Sequence, residues 1–297
     1  MFTTLVAVIA ALVLGHVAPA LARSLREHPW YARWLLWLGS HPDDGGLWYG
    51  RHGIWLALLP LVLLVGAVQL ALSGWLMGLP ALLFGVVVLV CTWGPRDLDI
   101  DVESVLDASD PQARAERLAR LAPEPGVAVV EGPALPGVVM RSALRRWFAP
   151  LFWFLLLGPA GAVLYRLVER AVVVVDGPVL PAENAAGARV LLQWLEWPVA
   201  HLMTLALALA GNFDLVFRAW RAAGGDRWQP ASGFLEASGC AAVRGELAEE
   251  IEDYRSEGLV PVMGELVELR DAMSLVWRML LLWLALLALL VIAGWVS

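Results

Sequence analysis

Long apolar runs separated by polar segments dominate this chain and set its class. Five runs predict membrane-spanning helices, because each approaches the roughly 20 apolar residues that a helix needs to cross a bilayer. These runs are residues 2–21, 54–72, 76–93, 147–164 and 279–296. The first run could be a signal peptide, but it lacks the basic start of such peptides, so we interpret it as a retained span.

A sixth run, residues 191–210, is mostly apolar but contains polar residues and Pro198. If it crosses the membrane, segments 22–53, 94–146 and 211–278 share one side and hold 18 of the 21 arginines. The excess of positive charge makes that side cytoplasmic. The alternative is a re-entrant or broken helix, since proline weakens a helix. It would place segment 211–278 outside with seven arginines, which fits less well.

The predicted fold is therefore an all-α polytopic membrane bundle of about six hydrophobic helices. It forms one integral membrane domain over residues 1–297, and its three cytoplasmic segments contain amphipathic helices. In one of them Asp110 caps a helix that has Pro111 at its first position, and residues 115, 118 and 121 lie near one face.

Composition agrees with this class and excludes several functions. The chain is 60% hydrophobic with a mean hydropathy of +0.69, whereas soluble domains have about 45–50% apolar residues. It contains no lysine, which excludes a P-loop lysine and a Schiff base. The net charge of −7 argues against nucleic-acid binding. Cys91 and Cys240 lie far apart in unlike surroundings, so neither a disulfide framework nor a zinc site is expected.

The candidate site combines polar residues from two apolar runs. Tyr165 and Arg166 end the run at 147–164, and Gln193, Glu196 and His201 fall within an arc of roughly 140° on a helix. A carboxylate such as Glu196 is costly in a membrane without a partner, and arginine is the obvious partner type. Two interpretations stay open. In the first, the residues form an intramembrane pocket, which binds a small anionic or amphipathic ligand or couples helix movement to the cytoplasmic segments. In the second, they form a structural ion pair.

Several segments of the chain resemble one family. Gly158–Arg166 reads Gly-Pro-x-Gly-Ala-x-x-Tyr-Arg, and Ala149–Trp153, Leu195–Trp197 and Gln112–Ala115 add to the likeness. Together these segments resemble the AmpE branch of the CobD/CbiB membrane protein superfamily, most strongly over residues 145–240. AmpE proteins are inner-membrane proteins that are linked to the induction of β-lactamase.

The resemblance also bears on chemistry. The CobD/CbiB enzymes carry out an ATP-dependent amide ligation, and their motif aspartates fall here on Val172, Leu192 and Gln193. Such a ligase needs acidic groups to hold Mg²⁺ and nucleotide. The resemblance therefore implies a non-catalytic inner-membrane protein that modulates β-lactamase induction and cell-wall recycling signals, with no cofactor or metal.

That interpretation assigns the site to ligand binding or coupling, and its residues are Tyr165, Arg166, Glu169, Gln193, Glu196 and His201. The expected partners are the lipid bilayer, a small anionic or amphipathic ligand, and a membrane or cytoplasmic signalling protein. Two alternatives remain. One is a CobD/CbiB-like ligase of cobalamin biosynthesis, an adenosylcobinamide-phosphate synthase, and the other is a structural scaffold for a partner protein.

Overall fold

The computed structural model describes residues 6–8, 10–11, 29–40, 47–72, 79–93, 97–122, 131–173, 180–258 and 266–293. Every regular element in these ranges is helical, so the predicted all-α class is confirmed. In chain order the helices are α1 (Pro29–Gly39), a 3₁₀ turn (Leu47–Tyr49), α2 (Ile54–Leu72), α3 (Leu79–Thr92), α4 (Leu98–Leu106), α5 (Pro111–Leu121), α6 (Leu135–Ala143), a π-helical segment (Leu144–Phe148), α7 (Ala149–Leu157), α8 (Pro159–Val173), α9 (Ala182–Ala210), α10 (Phe213–Ala222), α11 (Gly233–Ser256) and α12 (Val267–Ile292).

The chain divides into two compact units, each made of segments that are distant in sequence. Unit 1 comprises Met1–Asp97, Arg145–Leu195 and Ala288–Ser297. Unit 2 comprises Leu98–Leu144 and Glu196–Leu287. The single integral membrane domain over residues 1–297 stays a prediction.

Among the described residues, three helices are long and apolar enough to cross a membrane. They are α2, α9 and α12, with 19, 29 and 26 residues. These helices indicate a membrane protein, while the number of six spans stays a prediction. Helix α9 runs unbroken through Pro198, whereas the choice between a crossing and a re-entrant segment at residues 191–210 stays a prediction.

Two predicted spans differ from the observed helices. Residues 147–164 are not one helix, because the chain breaks at Gly158 between α7 and α8. Helix α7 has nine residues and follows directly on the π-helical segment and α6, so the helical run that ends at Leu157 begins before residue 147. Within residues 76–93 the described helix is α3, with 14 residues. Most of residues 2–21 lies outside the described ranges.

The last predicted span begins earlier than expected. Helix α12 begins at Val267, not at residue 279, so the end of segment 211–278 belongs to this helix. The cap of α5 is confirmed, since the Asp110 carboxylate accepts a hydrogen bond from the amide of Ala113 at 2.9 Å. Leu118 and Leu121 are buried as predicted, but Ala115 is exposed.

The core of unit 1 surrounds α8, which packs against α7, α2 and α3. In unit 2, α11 packs against α6 and α10. Glycines on α11 permit these close contacts. A Cβ atom at Gly239 would lie 2.4 Å from Met140 Cγ, and one at Gly245 would lie 2.5 Å from Leu215 Cδ1. Only a residue without a side chain lets the helices approach so closely.

Candidate functional site

The Gly-Pro step between α7 and α8 is a sharp break that a side chain would prevent. Gly158 has φ of +70°, a conformation that favours glycine. A Cβ atom there would lie 2.5 Å from Gln69 Nε2, so the position also lacks space. Gly161 is equally constrained, because its Cβ would lie 2.3 Å from the carbonyl oxygen of Trp153. The small residues of the motif therefore build the turn itself.

Gln69 on α2 satisfies the newly exposed start of α8. The first amides of a helix have no partner within that helix, which is costly in apolar surroundings. Here the side-chain oxygen of Gln69 accepts from the amide of Ala160 at 3.3 Å. Gln69 interrupts an otherwise apolar helix, and this contact gives it a structural role.

Arg166 is the centre of a buried polar network in unit 1. Its side chain lies on α8, and the residue is 2% exposed. Nη1 donates to Glu169 Oε2 at 3.0 Å on the same helix, and Nε donates to the carbonyl of Thr92 at 2.6 Å. Nη2 makes a longer bond of 3.4 Å to the carbonyl of Arg145. One guanidinium thus connects α8 to the end of α3 and to the π-helical segment.

The partners of Arg166 suit its charge. Thr92 is the last residue of α3, where the terminal carbonyls of a helix carry partial negative charge. The Glu169 carboxylate is 7% exposed, and its ion pair with Arg166 compensates the cost of burying both charges. The sequence predicts an arginine partner for Glu196, whereas Arg166 forms its ion pair with Glu169.

The π-helical segment adds positive charge to the same unit. Arg145 and Arg146 are 5% and 9% exposed. In the described part of unit 1, three arginines and one glutamate are therefore the buried charged residues. π-helical turns occur frequently at functional sites, because they displace side chains and carbonyls from regular positions. The Arg145 carbonyl that Arg166 reaches belongs to such a turn.

The other predicted residues of unit 1 divide between buried and exposed positions. Tyr165 is fully buried on α8, next to Arg166. Gln193 on α9 is exposed, so its side chain does not line a buried pocket in this unit. The inclusion of Gln193 in the binding or coupling site stays a prediction.

A hydrogen bond joins two of the segments that carry the family resemblance. The indole of Trp153 on α7 donates to the carbonyl of Leu195 on α9 at 3.1 Å. Pro198, three residues further on, cannot donate a helical hydrogen bond and weakens this part of α9. An external donor such as Trp153 therefore stabilises a carbonyl near the weakened turn.

Glu196 and His201 belong to unit 2. Glu196 is 1% exposed, and a carboxylate at that depth needs compensation from polar partners. Its pairing with an arginine stays a prediction.

His201 is a packed residue of unit 2, and both ring nitrogens face main-chain oxygens. Nδ1 lies 2.9 Å from the carbonyl of Trp197, one turn earlier on α9, and Nε2 lies 3.0 Å from the carbonyl of Gly225. The ring centroid lies 4.5 Å from that of Trp197 and 4.4 Å from that of Phe234 on α11. The arrangement ties α9 to α11 and to the turn after α10, which favours the structural interpretation of His201.

Sequence reasoning missed Thr92, Arg145 and Gly225, which contribute main-chain carbonyls. Carbonyl contacts leave no side-chain signal in a sequence, so only the fold could show them. Gln69 did carry a signal, because it is the one amide side chain in the apolar run 54–72.

Among the described residues, no group of three or more His, Cys, Asp or Glu side chains could hold a metal ion. The site contains a buried cation with fixed partners, which can hold helices together or respond to an anionic group.

Comparison of the chain with protein-family models, with curated proteins and with solved structures finds no match.

Proposed function

We propose that this chain is a non-catalytic regulatory protein of the bacterial inner membrane, of the AmpE type, which modulates β-lactamase induction and cell-wall recycling signals. One observation carries the proposal: the guanidinium of Arg166 bonds to Glu169 and to two main-chain carbonyls. These bonds use the arginine at the end of the motif for helix contact. Glycine and arginine thereby have structural reasons to be present in a protein that performs no ligation.

The positions that would carry ligase chemistry support the same conclusion. Val172 and Leu192 cannot bind Mg²⁺, and Gln193 lacks the charge that favours a divalent cation. The buried charge in the described part of unit 1 is mainly positive, so we expect any ligand of this unit to be anionic. Binding of an anion would compete with Glu169 for arginine and would alter the contacts between α8, α3 and the π-helical segment.

The proposed topology is that of a multi-pass protein whose candidate crossings are α2, α9 and α12. The run 147–164 folds back at Gly158, since Arg166 on α8 bonds to the carbonyl of Arg145 just before the start of that run. Broken helices occur within membranes where other helices cover the free main-chain groups, as Gln69 does for the amide of Ala160. The arginine content of segments 22–53 and 94–146 favours the cytoplasm for both.

The topology can be tested by cysteine labelling in a variant without Cys91 and Cys240. Glu183→Cys and Arg227→Cys place exposed thiols before and after the apolar part of α9. We expect a membrane-impermeant maleimide to label one of the two thiols in intact cells and the other only after the membrane is opened. Labelling of both from the same side would contradict a crossing by α9.

The function can be tested by β-lactamase induction in a host that lacks this chain. We expect the wild-type gene to restore the response to a β-lactam inducer and Arg166→Gln to weaken it at equal protein level. Arg218→Gln, at an exposed position on α10, is the matched control. An unaltered response in the absence of the chain would contradict the proposal. Rescue of growth on cobyric acid in a strain that cannot make cobinamide would instead establish the ligase.

A further inference from the structure

A row of three stacked aromatic rings runs along α10, and the first two rings are exposed. Phe213 and Phe217 stack with ring centroids 5.8 Å apart, and Phe217 and Trp220 stack at 5.2 Å. We call these three residues the aromatic ridge. Phe213 is 52% exposed and Phe217 is 40% exposed. Apolar area in water costs about 25 cal/mol per Å², so such a ridge is unfavourable unless another apolar phase covers it.

Helix α10 cannot rotate about its axis to bury the aromatic ridge, because its opposite face already packs against α11. Val216 is fully buried, and Leu215 Cδ1 occupies the space where Gly245 of α11 would carry a side chain. Asn212 caps the start of the helix by accepting from the amide of Leu215 at 3.2 Å. The packed face and the cap therefore fix the rotation of α10 and present the ridge outward.

The position of α10 along the chain indicates what covers the ridge. Only Gly211 and Asn212 separate it from α9, one of the helices able to cross a membrane. The last turns of α9 expose Leu202, Leu205 and Leu209, which recur every three or four residues and share one face. The apolar surface of a candidate span thus ends where the aromatic ridge begins.

The charges beside the ridge fit a lipid headgroup region. The guanidinium carbon of Arg221 lies 5.2 Å from the centroid of the Phe217 ring. Arg218 is exposed on the same helix, about 100° round from Phe217, and its contact of 3.9 Å with Asp214 is a weak surface pair. Aromatic rings with adjacent arginines are typical of helices that lie in the membrane interface.

We propose that α10 lies in the membrane–water interface, with Phe213 and Phe217 inserted among the lipids and Arg218 facing water, while Trp220 packs against His201 at the inner edge of the ridge. The lipid bilayer is the partner, and α10 fixes the depth of unit 2 at the end of α9. This proposal rests on the proposed membrane insertion of α9 and α12, and it adds a lipid-binding surface outside the candidate spans.

Spin-label accessibility in proteoliposomes tests the proposal. The full chain, without Cys91 and Cys240, carries one nitroxide at Phe213→Cys, Phe217→Cys, Arg218→Cys or Leu281→Cys. The vesicles contain phosphatidylethanolamine and phosphatidylglycerol. Leu281 is 62% exposed on α12 and reports membrane insertion itself. Oxygen, which enters lipid, is compared with a water-soluble nickel chelate at each label.

We expect the ratio of oxygen to nickel accessibility at Phe213 and Phe217 to be several-fold higher than at Arg218 and to approach the ratio at Leu281. If Leu281 reports lipid but the ridge positions match Arg218, the interfacial helix is wrong and the membrane proposal stands. If Leu281 also reports water, both are wrong. Ridge labels that neither reagent reaches would overturn lipid contact in favour of protein contact.

Discussion

The segment Gly158–Arg166 in unit 1 and helix α10 in unit 2 both concentrate unusual residues, and they use them differently. In the first segment each unusual residue meets a defined partner: Gly158 meets Gln69, and Arg166 meets Glu169 and two carbonyls. In α10 the rings of Phe213 and Phe217 face outward. A buried, fully bonded segment should tolerate almost no substitution, whereas an exposed one should tolerate most substitutions and change only its surface properties.

The largest effect should come from Arg166→Gln. Removal of the cation leaves the carboxylate of Glu169 buried without its charge partner, which typically costs about 3–5 kcal/mol. We expect a corresponding loss in the free energy of unfolding, measured by titration with sodium dodecyl sulfate in mixed micelles. Arg218→Gln in α10 should change stability by less than about 0.5 kcal/mol. Equal losses in the free energy of unfolding for the two variants would contradict the difference claimed between the buried segment and α10.

A slightly smaller effect is expected for Gly158→Ala. The positive φ costs a residue with a side chain about 1–3 kcal/mol, and the clash with Gln69 adds to that cost. Gly258→Ala is a matched control, because Gly258 has φ of +72° with no atom within 4 Å of the added Cβ. The control should lose about 1 kcal/mol. Thermal unfolding in detergent would compare the two, and equal losses would show that backbone strain alone decides the effect.

An intermediate effect is expected for His201→Phe. The variant keeps an aromatic ring beside Phe234 but loses the polar contacts to the carbonyls of Trp197 and Gly225. A lost hydrogen bond in a partly buried site costs about 1–2 kcal/mol. Thermal unfolding of the variant would measure this, with Asp226→Asn in the neighbouring exposed turn as control. A neutral His201→Phe would contradict a role in joining α9 to the turn after α10.

The smallest effect concerns thiol reactivity and leaves the fold intact. Burial raises the pKa of Cys240 on α11, while the amide of Gly137 and the charge of Arg244 partly oppose the shift. The thiolate is the reactive form, so less of it is present at a given pH than in a free cysteine. We expect the rate of alkylation by iodoacetamide, in a Cys91→Ser background, to keep rising with pH after free cysteine has levelled off. A rate profile that matches free cysteine would contradict the raised pKa of this half-buried thiol.

Sequence patterns predicted the helices better than they predicted the contacts. Apolar runs located α2 and α12, and the Asp110–Pro111 pair located the start of α5 correctly. The run at 147–164 misled, because hydropathy counts apolar residues and does not register the backbone break that Gly158 permits. A Gly-Pro pair inside an apolar run does carry that signal.

The candidate site was predictable only in part. Arg166 and Glu169 are three residues apart, so their neighbourhood on one helix could be read from spacing. The carbonyls of Thr92 and Arg145 could not, because main-chain acceptors have no sequence signature. Helical spacing also grouped Gln193 with Glu196, although Gln193 is exposed, since spacing alone does not tell which part of an arc is covered.

The central claim is that Arg166 and Glu169 act as one buried structural pair. A double-mutant cycle with Arg166→Met, Glu169→Met and the double variant tests it most directly, with the free energy of unfolding as the measured quantity. We predict large losses for each single variant and a much smaller loss for the double variant, with a coupling energy above about 2 kcal/mol, because paired hydrophobic residues replace a buried ion pair without an uncompensated charge. Single losses that simply add in the double variant would contradict the account.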